Sequence, residues 1–445
     1  RKQTNDFVIV NSGYLGTTCA RVGCMPSKVL IQAAEDFHHR RHMDVQGIGG
    51  GGDLTVDIPR VLEHVRRQRD IFVGGVMGNF NKGPAKKLIE GEARFIAPGV
   101  IRVNDEEIEA EAFILAVGSR PVVPEGWRRF GDRILTTDSL FEQQDLPGTM
   151  AVLGLGAIGL EMGQSLARLG IDVVGVDMLE TIGGLQDEAV RDEAIRLIGA
   201  EFPLWLGAPA ELDEAADGRL VVRAGGRETT VDKVLVALGR RHNLDRLDLA
   251  AAGVALDERG LPEIDPLTMR IAGTRLFVAG DANANRPLLH EAGDEGRIAG
   301  YNALREEPRA FRRKVPLAIA FSDPNIAAVG ASWAELEGRD DVAVGKRNYD
   351  TQARARVLLK NAGQLHIYGR KSDGLILGAE MIAPRGEHLA HHIAWAMESG
   401  LTVWDMLRLP FYHPVVEEGL QNALYHLAAQ VGGEPDGVVE VPFAD

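Results

Sequence analysis

The chain of 445 residues holds only two cysteines, Cys19 and Cys24, with four residues between them. They lie in Gly16-Thr17-Thr18-Cys19-Ala20-Arg21-Val22-Gly23-Cys24-Met25-Pro26-Ser27-Lys28. A structural disulfide framework would need more bridges spread along the chain. Two buried small hydrophobes, or half of a metal site, are the other readings. A zinc site would need two further ligands at metal-like spacing, and His38, His39 and His42 follow too loosely to supply them. The pair is therefore read as a redox dithiol. A helix beginning near Pro26 would aim free N–H groups and the positive end of its dipole at Cys24, lowering the thiol pKa. Arg21 and Lys28 add positive charge nearby.

A second constellation begins at Met150-Ala151-Val152-Leu153, an apolar strand followed at once by Gly154-Leu155-Gly156-Ala157-Ile158-Gly159. Alone, Gly-x-Gly-x-x-Gly is a weak signal. Here the glycines open a helix from Leu160 to Leu169, and a second strand, Asp172 to Val176, ends on Asp177. In that order Gly154 permits the tight turn, Gly156 lets backbone meet a pyrophosphate, and Gly159 allows close packing of helix on strand. Asp177 stands where an acid accepts hydrogen bonds from the adenosine ribose, and Met178 to Gly184 offers no cation for an extra phosphate. NAD is favoured over NADP.

These motifs need several domains to position them. The length suggests about three domains of ordinary size. With 45% apolar and 25% charged residues, the composition suits large buried cores. A net charge of −15 argues against a nucleic-acid or anionic-membrane partner. No apolar run approaches the roughly eighteen residues of a membrane helix, and Arg1 to Asp6 lacks an apolar signal core, so a cytoplasmic enzyme is expected. Helical patterning covers Ser27–Met43 and Ile58–Phe80, and short antiparallel strands are expected over 93–96, 100–103 and 107–110. Further on, strands are read over 364–368 and 376–382, and helices over 288–304, 387–399 and 416–429.

The cysteine stretch resembles the active-site signature of the FAD-dependent pyridine nucleotide–disulfide oxidoreductases, in wording nearest to members that oxidise dihydrolipoamide. Further matches are Ala112 to Pro121 with Gly118, the Gly239-Arg240 turn after Lys233 to Leu238, and Thr274 to Val278 leading to Gly280-Asp281. Pro316 to Gly330 is similar to the entry into a dimerisation domain, and His413-Pro414 with Glu418 matches the acid–base motif. Val117 stands where Thr is usual, and His242 where Pro is.

The resemblance implies an α/β fold: two Rossmann-like nucleotide-binding domains, for FAD and NAD, plus an α+β C-terminal dimerisation domain. It divides the chain into 1–121 and 246–314 for FAD, 122–245 for NAD, and 315–445 for dimerisation. Asp281 would hold the flavin ribitol, Lys28 and Glu161 would meet beside the flavin, and His413 would act as base with Glu418, or Glu417, as its partner. The pair would face the dithiol of the other subunit, implying a homodimer. Dihydrolipoamide, free or on a lipoyl-bearing protein, is the implied substrate. Relatives reducing mercury or thioredoxin carry an extra C-terminal pair that Gly432 to Asp445 lacks. Reduction of another small disulfide, or an inactive dimeric paralogue, are the alternatives.

One expected part is missing. After the strand Asp6 to Val10 such a flavoprotein should show Gly-x-Gly-x-x-Gly, a helix and a second strand, yet Asn11 to Gly16 runs straight into the dithiol. About 30 residues, one βαβ unit, are absent. Either the loop was lost or the sequence is joined across an unobserved segment. The start at Arg1 rather than Met favours the second.

Overall fold

Met150, Ala151, Val152 and Leu153, and Val173 to Val176, leave neither strand a side suited to water, and the computed structural model buries nearly all of both. It describes residues 4–436 and 438–441. The two strands form the centre of a five-stranded parallel sheet in the order Leu204–Trp205, Asp172–Val176, Thr149–Leu153, Lys233–Val236, Ile134–Leu135. The helix Ala157–Arg168 runs between the two central strands and is buried over most of its length. A strand–helix–strand crossover of this kind joins parallel neighbours.

The chain separates into two compact units. One contains the residues up to Pro26 together with His64–Val123 and Leu238–Arg313; the other contains Ser27–Glu63, Pro124–Ala237 and the residues from Lys314 on. In the first, Ala93–Ala97, Val100–Val103 and Glu106–Glu109 form an antiparallel meander. Its apolar side joins Phe95, Ile101 and Val103 to Leu115, Leu276 and Val278. Ile9–Asn11 pairs in parallel with Leu88–Glu90, and Phe113–Leu115 pairs in parallel with Leu276–Val278. These are separate two-stranded ladders. The next strand in the chain after Ile9–Asn11 is Leu88–Glu90, its partner in the first ladder.

The second unit also carries a five-stranded antiparallel sheet, ordered Leu317–Ala320, Asn325–Gly330, Ile376–Ala383, Gln364–Arg370, Val342–Asn348. The helix Gly386–Glu398 packs on Asn325–Gly330 and Ile376–Ala383, and Glu418–Ala428 packs on Val342–Asn348 and Gln364–Arg370. Leu365, Ile367, Leu424 and Leu427 are fully buried between them, and each such side chain contributes about 1.5–3 kcal/mol. Gly345 permits the approach, because a Cβ there would lie 2.3 Å from the Ala423 carbonyl oxygen. Among the described residues no helix is long and apolar enough to cross a membrane.

Candidate active site

Thr17 caps the short helix Thr18–Val22, its hydroxyl accepting from the Ala20 N–H at 3.1 Å. Cys19 sits half-buried in that helix, and Cys24 is exposed as the first residue of the helix Cys24–His39. The helix therefore begins two residues before the sequence suggests, since proline is tolerated in a first turn where its missing N–H costs nothing. Gly23 folds the chain back tightly: a Cβ there would approach the Cys19 Cα to 3.3 Å. Arg21 is tied to the preceding loop, its Nε donating to the Leu15 carbonyl and its guanidinium lying 5.5 Å from the Tyr14 ring centre.

One turn beyond Cys24 on the same helix, Lys28 places its Nζ 2.7 Å from Glu161 Oε2. Glu161 is only 6% exposed. Its second oxygen accepts from the Phe321 N–H at 3.0 Å, and the Lys28 ammonium lies 4.5 Å from the Phe321 ring centre. Each oxygen of the buried carboxylate thus has a partner, a cation on one and a backbone donor on the other, which offsets the cost of its burial.

At the nucleotide turn, Gly154 has φ of +92°, and its N–H donates to the Val176 carbonyl at 2.8 Å. A Cβ on Gly159 would stand 1.8 Å from the Gly154 carbonyl oxygen, so only glycine allows this packing. Gly156 caps the helix Ala157–Arg168, and nothing lies within 4 Å of where its Cβ would be. The Asp177 carboxylate accepts from the Leu155 N–H at 2.6 Å and the Leu179 N–H at 2.9 Å, bracing the turn from the adjacent strand end. Open backbone at a helix N-terminus, with an acid at the next strand end, fits the pyrophosphate and ribose of NAD.

In the other unit, Asp281 follows Gly280, whose positive φ of +71° suits glycine. Ser119 Oγ donates to Asp281 Oδ2 at 2.7 Å, and Arg240 Nε donates to Ser119 Oγ at 2.8 Å. Antiparallel pairing of Ser119–Pro121 with Arg240–His242 sets Gly118 opposite Asn243 and Gly239 opposite Val122, at the two ends of the ladder. Sequence reasoning missed Ser119 and Arg240, although both stand beside glycines it singled out. For FAD the fit is divided. Asp281 with Ser119, and Lys28 with Glu161, present groups suited to a ribitol chain and a flavin edge. The connection from Ile9–Asn11 to the helix Thr18–Val22 contains no glycine turn opening a long helix, so the pyrophosphate has no cradle there.

His413 and Glu418 meet as spaced, Nδ1 to Oε1 at 2.9 Å. Glu418 Oε2 accepts from the Val415 N–H at 3.1 Å. The His413 bond, and then the Val415 N–H, hold the Glu418 carboxyl below the ordinary carboxylate range. An ionised carboxylate only accepts, so Nδ1 carries hydrogen and the His413 Nε2 lone pair is left to take a proton. Glu417 makes no such contact; it stands just before the helix Glu418–Ala428, and its side chain makes no capping hydrogen bond there.

Residues 1–296 match the family described as pyridine nucleotide-disulphide oxidoreductase, and residues 316–424 match its dimerisation domain. The chain is 32% identical over 426 residues to dihydrolipoyl dehydrogenase of Geobacillus stearothermophilus, covering 92% of this chain and 88% of that protein. It is 33% identical over 436 residues to the protein of the same name from Thermus scotoductus, covering 95% and 92%. Its fold is similar to that of LpdA from Mycobacterium tuberculosis, with a TM-score of 0.82 at 24% identity over 95% of this chain and 93% of that one. The HOCl-induced flavoprotein disulfide reductase RclA from Escherichia coli, solved as a Cu(II) complex, gives a TM-score of 0.81 at 22% identity, covering 94% and 93%. The chain belongs to the pyridine nucleotide-disulphide oxidoreductases, a family of flavoprotein enzymes whose cofactors are FAD and NAD.

Proposed function

We propose that this enzyme oxidises dihydrolipoamide to lipoamide through a Cys19–Cys24 disulfide, with NAD as the final acceptor. The observation that carries the reading is the His413–Glu418 hydrogen bond in a chain whose only cysteines form the Cys-x4-Cys pair. In this reading the domain division is the one expected from sequence, the setting is cytoplasmic, and the enzyme is a homodimer in which each copy's His413 serves the other copy's dithiol.

His413 Nε2 takes a proton from one substrate thiol, and Glu418 stabilises the imidazolium so formed. The thiolate attacks Cys19, forming a mixed disulfide and releasing Cys24 as thiolate at the start of its helix. The second substrate thiol then displaces Cys19, so lipoamide leaves with a new S–S bond and the protein holds two reduced cysteines. Two electrons and two protons have passed from substrate to protein. Bound flavin and NAD would supply the acceptors that return the cysteines to the disulfide. Lys28, paired with Glu161, would hold positive charge at the flavin edge. Gly154, Gly156, Gly159 and Asp177 would hold NAD, and Gly118, Asp281, Gly280 and Gly239 would shape the ribitol side of the FAD site.

The test pairs turnover with protein chemistry. Purified oxidised protein is incubated with dihydrolipoamide and then alkylated, and the peptide containing residues 19–24 is weighed. Two added alkyl groups, with NADH formed on adding NAD, support the reading. An unmodified peptide with no NADH refutes it. The missing glycine turn after Ile9–Asn11 favours one second reading, a dimeric paralogue that retains no FAD. A protein without flavin absorbance and without turnover would establish that instead.

A further inference from the structure

The base loop around His413 is held from below by one turn of the antiparallel-sheet domain. Gln352 is 3% exposed and precedes the short helix Ala353–Val357. Its Oε1 accepts from the Ala355 N–H at 2.6 Å, and its Nε2 donates to the Val415 carbonyl at 2.8 Å. Val415 is thus gripped on both sides, since its own N–H donates to Glu418 Oε2. Three residues before Gln352, the fully buried Tyr349 lies under Gly419, where a Cβ would come within 2.7 Å of the phenol oxygen. Two buried side chains from one turn therefore meet the backbone on either side of Glu418. Both are anchored in the sheet domain, Tyr349 through its N–H to the Gly363 carbonyl at 2.9 Å.

We propose that Gln352 is a positioning residue for the base. It fixes Val415, Val415 fixes the Glu418 carboxylate, and Glu418 orients the His413 imidazole with Nε2 outward. Without the amide, the Val415 carbonyl loses its buried donor and the segment 412–418 gains freedom. The imidazole then spends less time aimed at an incoming thiol. A catalytic base is effective only within hydrogen-bond reach of its proton, so a modest loosening is expressed in rate rather than in nucleotide binding.

This inference rests on the base assignment made above, and the experiment separates the two. Gln352→Met keeps the volume and removes both hydrogen bonds; Gln352→Asn keeps the amide on a shorter stem. The holoenzyme variants are assayed with dihydrolipoamide and NAD, alone and combined with His413→Ala, and backbone deuterium exchange is followed in a peptide spanning 411–419. The expected result is a fall in kcat of about tenfold for Gln352→Met, part of the 10²–10⁴-fold that a positioned base supplies. A smaller fall is expected for Gln352→Asn, with the KM for NAD unchanged. No further fall should appear in the His413→Ala background, and exchange at 411–419 should be faster. An equal fall in the His413→Ala background, or unchanged exchange, would overturn the proposal. If the parent enzyme does not turn over dihydrolipoamide, the functional reading fails, while the exchange comparison still decides whether Gln352 holds the loop.

Discussion

Two glycines three residues apart should respond differently to the same methyl group. In Gly159→Ala the new Cβ would fall 1.8 Å from the Gly154 carbonyl oxygen, 2.9 Å from the Gly154 carbonyl carbon and 3.4 Å from Val152 Cγ1. The first two are backbone atoms of the turn itself, so no side-chain rotation relieves the overlap. The helix Ala157–Arg168 and the turn must part by more than about 1 Å, which in a well-packed interior costs about 1–3 kcal/mol. That displacement carries Gly154 to Gly156 away from the geometry that would meet the pyrophosphate, so NADH affinity should fall at least about tenfold. Gly156→Ala meets no overlap, and its φ of −67° and ψ of −171° suit alanine. Its stability should stay within about 0.5 kcal/mol of the parent. NADH binding should still weaken, because the methyl occupies the space the pyrophosphate needs. Denaturant unfolding and NADH fluorescence titration of the two variants test this. Parental stability and affinity in Gly159→Ala, or undiminished NADH binding in Gly156→Ala, would refute the assignment of this turn as the NAD cradle.

Two further outcomes follow from other sites. Burial, and then the Arg168 charge, push His38 down from its ordinary value of 6.5 to about 4. The unfolded chain therefore takes up this proton at higher pH than the folded one, and stability falls as pH drops from about 6.5 to about 4. His38→Gln should flatten that slope in urea midpoints measured across the window; an unchanged slope would count against it. At the Lys28–Glu161 pair, Glu161→Gln strips the charge from a carboxylate held by both Lys28 and the Phe321 N–H. Unfolding of Glu161→Gln, Lys28→Met and the double variant should give a coupling of about 0.5–3 kcal/mol, whereas strict additivity would show that the contact contributes nothing.

The short-range chemistry was legible from residue order. Cys19 with Cys24, Gly154 with Gly156 and Gly159, and His413 with Glu418 each span at most five residues, so one turn or one helix start dictates their geometry. Strand and helix positions around the NAD motif were legible for the same reason, because apolar periodicity is local. The helix start at Cys24 was set too late, since proline ends a helix from within but is accommodated in its first turn. The pairing of Lys28 with Glu161, 133 residues apart, could be expected only through the family resemblance. The links from Ser119 to Asp281 and from Gln352 to Val415 span 162 and 63 residues and leave no periodic trace.

By itself, then, the order of residues determined the Cys19–Cys24 spacing, the Gly154–Gly159 turn and the His413–Glu418 contact, because each depends on backbone geometry within a few residues. It also determined that the first parallel strand has no glycine turn behind it. Only the tertiary structure decided which distant groups hold those residues in place: Phe321 behind Glu161, Arg240 and Ser119 on Asp281, Gln352 and Tyr349 beneath the base loop. Such partners are chosen by how sheets and helices pack. A buried polar group needs a partner wherever packing happens to bring one, and sequence distance does not constrain that.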